Sequence, residues 1–337
     1  MHLSSPTGVM LINLGTPDSC RVSDVRKYLN EFLYDPRVVE LPTWLRWLLV
    51  KCWIVPLRAK KSAAAYAKIW QPTGSPLLSN SLAIKEKLSA ELGANYRVTL
   101  GMRYGNPSIS AALQELQTAQ VQTIKVLPMF PQYSSAATGS AVQQVLAKMS
   151  KLKHIPGIEI KTPYYNNTDF IQALANSIAP FLQQDYDYLL MSYHGLPEQQ
   201  MLHQTRHACD LQAECPAINQ QNINCYRAQC FHTSRLIAQR LNLKANWGVA
   251  FQSRLGKLPW IKPYADEELG KLIARGVRKL VVCCPSFVAD CLETLEEIDI
   301  RARAQWFALG GTSFNLVPCL NATSEWVCSL ATIFRDE

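Results

Sequence analysis

The 337-residue chain has no Gly-x-Gly-x-x-Gly after any strand-like run and no Gly-x-x-x-x-Gly-Lys-Ser/Thr. Neither dinucleotide nor triphosphate binding therefore has the loop that would cradle phosphate. Lysine and arginine are scattered among apolar residues rather than gathered in a run, which argues against nucleic acid as a partner. The opening Met1-His2-Leu3-Ser4-Ser5-Pro6 lacks a charged region followed by an apolar core. It does not read as a secretory signal, and the expected location is cytoplasmic, with peripheral contact at the inner face of a membrane as the further expectation. No short-period repeat is evident. The most tryptophan-rich segment, Trp44 to Arg58, is interrupted by Arg46 and Lys51 and is too short and too charged to span a bilayer. Two readings of it stand: a helix packed into the core, or an exposed amphipathic lip that touches lipid or an apolar ligand.

What is present points to a large α/β protein. With 48% hydrophobic residues the chain can bury a substantial core, and its length suits more than one domain. A net charge of +8 suits an anionic partner, whether nucleic acid, membrane lipid or a carboxylated small molecule. Eleven cysteines, an odd number at uneven spacing, fit free thiols and metal ligands better than a disulfide framework. Cys283 and Cys284, inside a strand-like run, read as small core hydrophobes.

Apolar runs alternate with helical patterns. Strands are expected at Gly8 to Leu14, Arg97 to Gly101, Thr123 to Pro128 and Ile158 to Lys161. The pattern restarts after a helix at Thr168 to Gln184, with strands at Tyr188 to Tyr193, Trp247 to Phe251 and Lys279 to Cys284, and helices at Ala228 to Leu241 and Ala265 to Arg275. Two βαβ sets in series imply two Rossmann-like, doubly wound parallel-sheet domains. The expected division is 1–165, 166–310 and a closing strand and helix at 311–337.

Chemistry is expected where strands deliver polar residues into turns. The run Asp187 to Tyr193 carries His194 into Gly195-Leu196-Pro197. An imidazole there can accept a proton or bind a metal near neutral pH, although a lone histidine also serves simply to tie a turn. After the strand ending at Cys284 comes Asp290-Cys291-Leu292-Glu293-Thr294-Leu295-Glu296-Glu297. Glu293 and Glu297, four apart, share one helix face, with Glu296 turned partly aside; a solvated acidic helix end is the plainer reading.

Ser192-Tyr193-His194-Gly195-Leu196-Pro197 and the Asp290 to Glu297 segment together resemble the two signature segments of the ferrochelatases. Further ferrochelatase-like stretches follow in order across nearly the whole chain: Asn13-Leu14-Gly15-Thr16-Pro17, Tyr66 through Ile69-Trp70 to Gly74-Ser75-Pro76-Leu77, Pro131-Gln132-Tyr133-Ser134 with Thr138-Gly139-Ser140, and Phe251-Gln252-Ser253-Arg254 with Pro259-Trp260. The resemblance implies insertion of ferrous iron into protoporphyrin IX, the last step of haem synthesis, in a cleft between the two domains. It implies His194 as metal ligand or proton acceptor on one side of the macrocycle, Glu293 as the facing metal-binding or proton-handling group, and Glu297 as the continuation of a carboxylate path. Arg58, Lys61, Tyr66 and Ser75 match positions near the porphyrin propionates or rim, Arg103 and Tyr104 a pair lining the pocket, and Trp260 an aromatic near the cleft. Leu14 stands where some relatives have tyrosine or methionine, and Cys291 where some have histidine, so neither supplies the donor those relatives have.

Two rivals remain: a chelatase for another tetrapyrrole, such as coproporphyrin, or another metal such as cobalt; and a porphyrin or haem carrier without turnover. A carrier needs apolar walls but not a paired base and acid. Some ferrochelatases hold a two-iron, two-sulfur cluster, often through cysteines in a C-terminal extension; Ser135 occupies the matching internal position here, so that arrangement is not expected. Cys209, Cys215, Cys225 and Cys230, four thiols within 22 residues, meet the ligand count for such a cluster by another route. Zinc would satisfy the same count.

Overall fold

Thr7–Thr16 is apolar from Val9 to Ile12, with no polar residue to turn toward water, and those four side chains are fully buried. Such a run suits the centre of a parallel sheet covered on both faces, and it forms β1. The computed structural model describes residues 6–161, 163–202, 215–254 and 258–335. After β1 come α1 (Val22–Leu33), α2 (Thr43–Leu48), α3 (Val55–Ile69), α4 (Pro76–Leu92), β2 (Tyr96–Gly105), α5 (Ile109–Thr118), β3 (Thr123–Pro128), α6 (Ser140–Met149) and β4 (Gly157–Ile160). The second series is α7 (Thr168–Leu182), β5 (Tyr188–His194), α8 (Glu198–Leu202), α9 (Tyr226–Arg240), β6 (Trp247–Gln252), α10 (Ala265–Ala274), β7 (Lys279–Cys283), α11 (Arg303–Ala308), β8 (Ser313–Leu316) and α12 (Ser324–Arg335).

Two four-stranded sheets result, ordered β2-β1-β3-β4 and β6-β5-β7-β8, and every pairing in them is parallel. The α/β class with parallel sheets is as expected from the alternating pattern. Two compact units are resolved: Met1–Phe130 with Ser134–Thr162 and Asn321–Glu337, and Pro131–Tyr133 with Pro163–Leu320. The last two elements part company, because β8 pairs with β7 whereas α12 packs on α4 of the first unit. There Lys87 donates to the Ala322 carbonyl at 2.6 Å.

Each unit has its own core. In the first, Met10, Ile12 and Val126 of the sheet meet Ile109, Leu113 and Leu116 of α5 and Val145 of α6. In the second, Leu190, Ala250 and Val282 meet Leu269 and Leu272 of α10, with Trp306 and Phe314. Each large apolar side chain so buried contributes roughly 1.5–3 kcal/mol. At the carboxyl end of β1, Gly15 has φ +110, and a Cβ there would lie 1.8 Å from the Tyr104 carbonyl oxygen. Only glycine lets the chain leave the sheet beside β2 at this point.

The tryptophan-rich segment is one continuous helical run in which wide π-helical turns, Leu49–Ile54, join α2 to α3. Pro56 explains the widening: it has no N–H to donate, and its ring crowds the carbonyl four residues back. Polarity along this run is inverted. Arg46 is buried, donates to the Leu41 carbonyl at 2.9 Å and stacks on Tyr34, whereas Trp44, Trp53 and Leu57 are 70%, 64% and 74% exposed. The exposure of these side chains is what the lip reading expects, while Val50, Val55 and Ala59 of the same run pack inward. Among the described residues no helix is long and apolar enough to cross a membrane.

Candidate active site

β5 is buried along its whole length except for its last residue, His194, which emerges half-buried where the strand ends. The turn after it is built to hold this residue. The His194 N–H donates to Ser286 Oγ at 3.2 Å, the Tyr226 hydroxyl donates to the His194 carbonyl at 2.8 Å, and the Gly195 N–H donates to the Gln252 carbonyl at 2.8 Å. A Cβ on Gly195 would come within 2.8 Å of that carbonyl and 3.2 Å of the Trp260 ring. Glycine is thus required by close approach, and Trp260 closes over the turn. The backbone continues the contact, with Ile261 donating to Leu196 and Glu198 to Pro259.

The imidazole itself is oriented. Nδ1 lies 2.6 Å from the Gly195 carbonyl oxygen. A carbonyl only accepts, so Nδ1 carries the proton in this contact, and in the neutral ring Nε2 keeps the lone pair. A histidine held by one nitrogen with the other left basic is the form suited to ligating a metal or taking a proton.

Glu293 opens a ten-residue π-helical stretch, Glu293–Ala302, rather than the α-helix its sequence suggests. Such wide turns are rare and concentrate at functional sites. Glu296 is not at the solvated helix end: it is 5% exposed and accepts from Arg301 at 2.8 Å. Glu293 and Glu297 are part-exposed. Burial and the adjacent Glu293 carboxylate, to which the Cys291 thiol is hydrogen-bonded, push that thiol well above its ordinary pKa.

β6 welds these two parts together. Gln252, paired with His194 across the sheet and 3% exposed, accepts from Ser192 Oγ at 2.6 Å and donates through Nε2 to the Glu293 carbonyl at 2.8 Å. The next residue, Ser253, has φ +68, a left-handed conformation that a non-glycine residue adopts at a cost. That geometry aims its N–H at Glu297 Oε1 (2.7 Å) and its hydroxyl at Oε2 (2.5 Å). Glu297 is thus held by both oxygens, and Arg301 stands 3.8 Å away. Sequence reasoning noticed the Phe251 to Arg254 segment without assigning it a task. Its partners lie 41 to 60 residues away in the chain, which local pattern cannot reveal.

In the first unit, Leu14 leaves β1 part-buried beside the Asn13 side chain, whose amide donates to Ser81 at 3.1 Å. Ser75 is buried and accepts from Thr16 at 2.8 Å, tying β1 to the start of α4. Tyr66 is buried between Tyr28 and Trp70, edge-on to both. On the same helix Lys61 is exposed and Arg58 half-buried; burial lowers the Arg58 pKa, and no carboxylate among the described residues pairs with it. Arg103 and Tyr104 converge on Asp35, which also accepts from Ser140 at 2.5 Å. Burial chiefly drives the Tyr104 hydroxyl far above its ordinary value. The hydroxyl therefore works as a neutral hydrogen-bonding group. Arg103 and Tyr104 line a cavity of about 760 Å³ with Tyr34, Trp47, Lys51 and Lys148.

Of the four clustered cysteines, Cys209 lies outside the described residues; Cys215, Cys225 and Cys230 are buried. Burial pushes the Cys230 thiol well up. A hydrogen bond from Tyr226 opposes this, Cys225 and Cys215 add to it, and Arg227 opposes it in turn. Arg227, itself 2% exposed, donates to Cys215 Sγ at 2.9 Å. Among the described residues no group of three or more histidine, cysteine or acidic side chains is placed to hold a metal ion.

The family model for ferrochelatase matches residues 6–337. The chain belongs to the ferrochelatase family. It is 48% identical to the ferrochelatase of Legionella pneumophila (strain Lens) over 333 residues, 98% of this chain and 99% of that one. It is 49% identical to the ferrochelatase of Coxiella burnetii (strain Dugway 5J108-111) over 338 residues, covering 97% and 93%. Among solved structures, SirB from Bacillus subtilis with Fe3+ aligns with a TM-score of 0.55 at 10% identity, over 98% of this chain and 94% of that one. The sirohydrochlorin chelatase SirB from Bacillus subtilis subspecies spizizenii in complex with cobalt aligns with a TM-score of 0.56 at 8% identity, with the same coverage. At such identities these structures establish a common fold only. As a member of the ferrochelatase family, this chain is a metal chelatase, a lyase that inserts ferrous iron into a porphyrin in haem synthesis.

Proposed function

We propose that the porphyrin is protoporphyrin IX and that His194 and Glu293 carry the chemistry. A free porphyrin is nearly planar and holds two pyrrole N–H protons. Iron enters only if the ring bends, the protons leave and the metal arrives loosely held. A four-ligand cage would trap the iron, whereas one imidazole and one carboxylate hold it and let it go. The observation that carries the reading is the imidazole locked through Nδ1 to the Gly195 carbonyl, with basic Nε2 left over. Through Gln252, the same scaffold grips the main chain of Glu293. His194 takes a pyrrole proton or the iron, Glu293 takes the other part, and Glu297, oriented by Ser253, passes charge onward.

Arg58 and Lys61 meet the two propionates. A half-buried guanidinium with no carboxylate partner among the described residues gains most from an anion. Tyr66 and Ser75 shape the rim, Leu14 and Trp260 supply apolar contact, and Arg103 with Tyr104 forms a pocket wall. Coproporphyrin carries four carboxylates, two more than these cations match. In an anaerobic assay of purified protein with ferrous iron, kcat/KM for protoporphyrin should exceed that for coproporphyrin at least about 10-fold, the worth of one unpaired buried charge. Equal values, or preference for coproporphyrin, would overturn the substrate reading.

The cysteine segment is proposed to hold a two-iron, two-sulfur cluster through Cys209, Cys215, Cys225 and Cys230. Support comes from the chemistry of the donors: three buried thiols close enough to perturb one another, with an arginine N–H on one sulfur. Four soft thiolates fit such a cluster and leave it with a net negative charge, which a cationic contact from Arg227 would offset. Protein purified anaerobically should be coloured and contain iron and inorganic sulfide in near-equal amounts. A colourless protein with one zinc would assign the same ligands to zinc, and a metal-free protein would remove the site.

The exposed tryptophan run is proposed as a peripheral membrane contact. Trp44, Trp47 and Trp53 beside Lys51 and Arg58 have the make-up of an interfacial helix. In liposome flotation, the triple change of Trp44, Trp47 and Trp53 to serine should abolish co-flotation. Unchanged flotation would end this reading.

A further inference from the structure

β6 is an edge strand, and the start of its outer edge has no neighbouring strand among the described residues. On one side it pairs with β5 along its length. On the other it meets only the turn at Pro263 and Tyr264, where the Phe251 N–H donates to the Pro263 carbonyl at 2.8 Å. Pairing direction alternates along a strand, so the N–H and C=O of Val249, two residues before Phe251, point the same way. Val249 is 7% exposed, and a main-chain donor and acceptor on a buried residue need a partner. Beside them opens a cavity of about 540 Å³.

The walls of this cavity are aromatic and positive: Trp247 and Tyr264 line it together with Arg227, Lys244 and Lys262. The acid in its lining, Glu267, is already engaged with Arg254 at 3.0 Å, and the further cation Lys271 is engaged with Glu268 at 2.6 Å. Arg227 is 2% exposed. Its Nε donates to the Lys262 carbonyl at 3.1 Å and its Nη1 to Cys215 Sγ at 2.9 Å, whereas Nη2 has no hydrogen bond and the guanidinium no carboxylate partner among the described residues. A guanidinium taken out of water without a counter-charge is costly, and an anion in the cavity offsets that cost.

We propose that the cavity beside Trp247 to Val249 binds a purine nucleotide, its base against the Val249 main chain and the aromatic walls, its phosphates on Lys244, Lys262 and Arg227. Aromatic walls select a ring, and three cations select a polyanion. The outward N–H and C=O of one edge-strand residue select a ring whose rim offers an acceptor beside a donor, as a purine does. A carboxylated tetrapyrrole meets the first two demands and not the third, because its nitrogens point inward. The phosphate loops absent from this chain are main-chain devices at strand-to-helix turns, whereas side chains meet the phosphates here. The site is separate from His194 and Glu293: β6 runs on from Val249 to Gln252, about 10 Å away at the rise of a strand. It uses Nη2 of Arg227 and does not depend on what the cysteine segment holds.

The test is titration calorimetry on the full-length protein with ATP and with GTP, magnesium omitted, and at least one of them should bind at a single site. Lys244→Glu and Lys262→Glu should each weaken that binding about 10-fold, the scale of one charge-assisted hydrogen bond. Lys244 is exposed, so its replacement leaves the fold intact, with circular dichroism as the check. Lys153→Glu, exposed in the first unit, changes the net charge equally and should leave binding unaltered. Pyrophosphate should bind about 10-fold or more weakly than the nucleotide, since it lacks the base. Hydrogen exchange should show the amides of Trp247 to Val249 protected when the nucleotide is bound. Absence of binding by both nucleotides, equal affinity for pyrophosphate, unchanged affinity in the Lys244→Glu/Lys262→Glu double variant, or displacement of the nucleotide by protoporphyrin would each overturn the assignment.

Discussion

Replacing His194 with alanine is expected to lower kcat for ferrous-iron insertion by about 100- to 10,000-fold, the range for removing a positioned acid–base group. The KM for porphyrin should change little. In the proposed site the imidazole serves the pyrrole protons and the iron, whereas the cations proposed to hold the propionates lie on α3. The fold should survive, because the contacts that set the turn belong to the His194 backbone: its N–H to Ser286 and its carbonyl to Tyr226. Steady-state kinetics on anaerobically purified protein, with circular dichroism as the check on folding, decides the matter. Normal turnover by the alanine variant would take His194 out of the chemistry and leave it as a turn residue.

Changing Glu293 to glutamine should cost about 100-fold or more in kcat, since the amide keeps the shape of the side chain and loses both charge and proton affinity. This substitution isolates the carboxylate cleanly. Gln252 grips the Glu293 main-chain carbonyl, not its side chain, so the first π-helical turn keeps its anchor in the variant. Thermal unfolding should accordingly match the parent, within the small shifts expected of a part-exposed site. If iron insertion persisted at the parental rate with the fold intact, the second group of the site would have to be sought elsewhere, with Glu297, oriented by Ser253, as the next acid to test.

The strands were legible because a parallel sheet buried on both faces demands unbroken apolar runs, and those runs are visible without knowing their neighbours. Val9 to Ile12 of β1 shows this, with all four side chains fully buried, and Thr123–Pro128 reproduces its predicted limits although Lys125 interrupts its apolar run. His194 was legible for a related reason: a polar residue ending such a run must emerge at the sheet's carboxyl edge. The π-helical form of Glu293–Ala302 was not, because its apolar spacing reads as an ordinary helix and the widening depends on what grips its first turn from β6. That Glu296, turned aside from the Glu293 and Glu297 face, is buried and paired with Arg301 was likewise not legible, since only the folded chain brings the two together. The tryptophan run could be read as core or as lip with equal logic. Burial of Arg46 under Tyr34 settles which face points inward.

By itself the sequence determined the α/β class and the order of strands and helices, and it marked out the candidate residues for proton and metal handling and the clustered cysteines. These depend on local period and residue chemistry. Tertiary structure alone decided that Gln252 anchors the main chain of Glu293 and Ser253 orients Glu297, that Asp35 binds Arg103 and Tyr104, and that Tyr226 and Ser286 hold the backbone of His194. Each of these is a hydrogen bond between groups far apart in the chain, and a bond of about 3 Å exists only once packing has brought donor and acceptor together and excluded the water that would otherwise satisfy them.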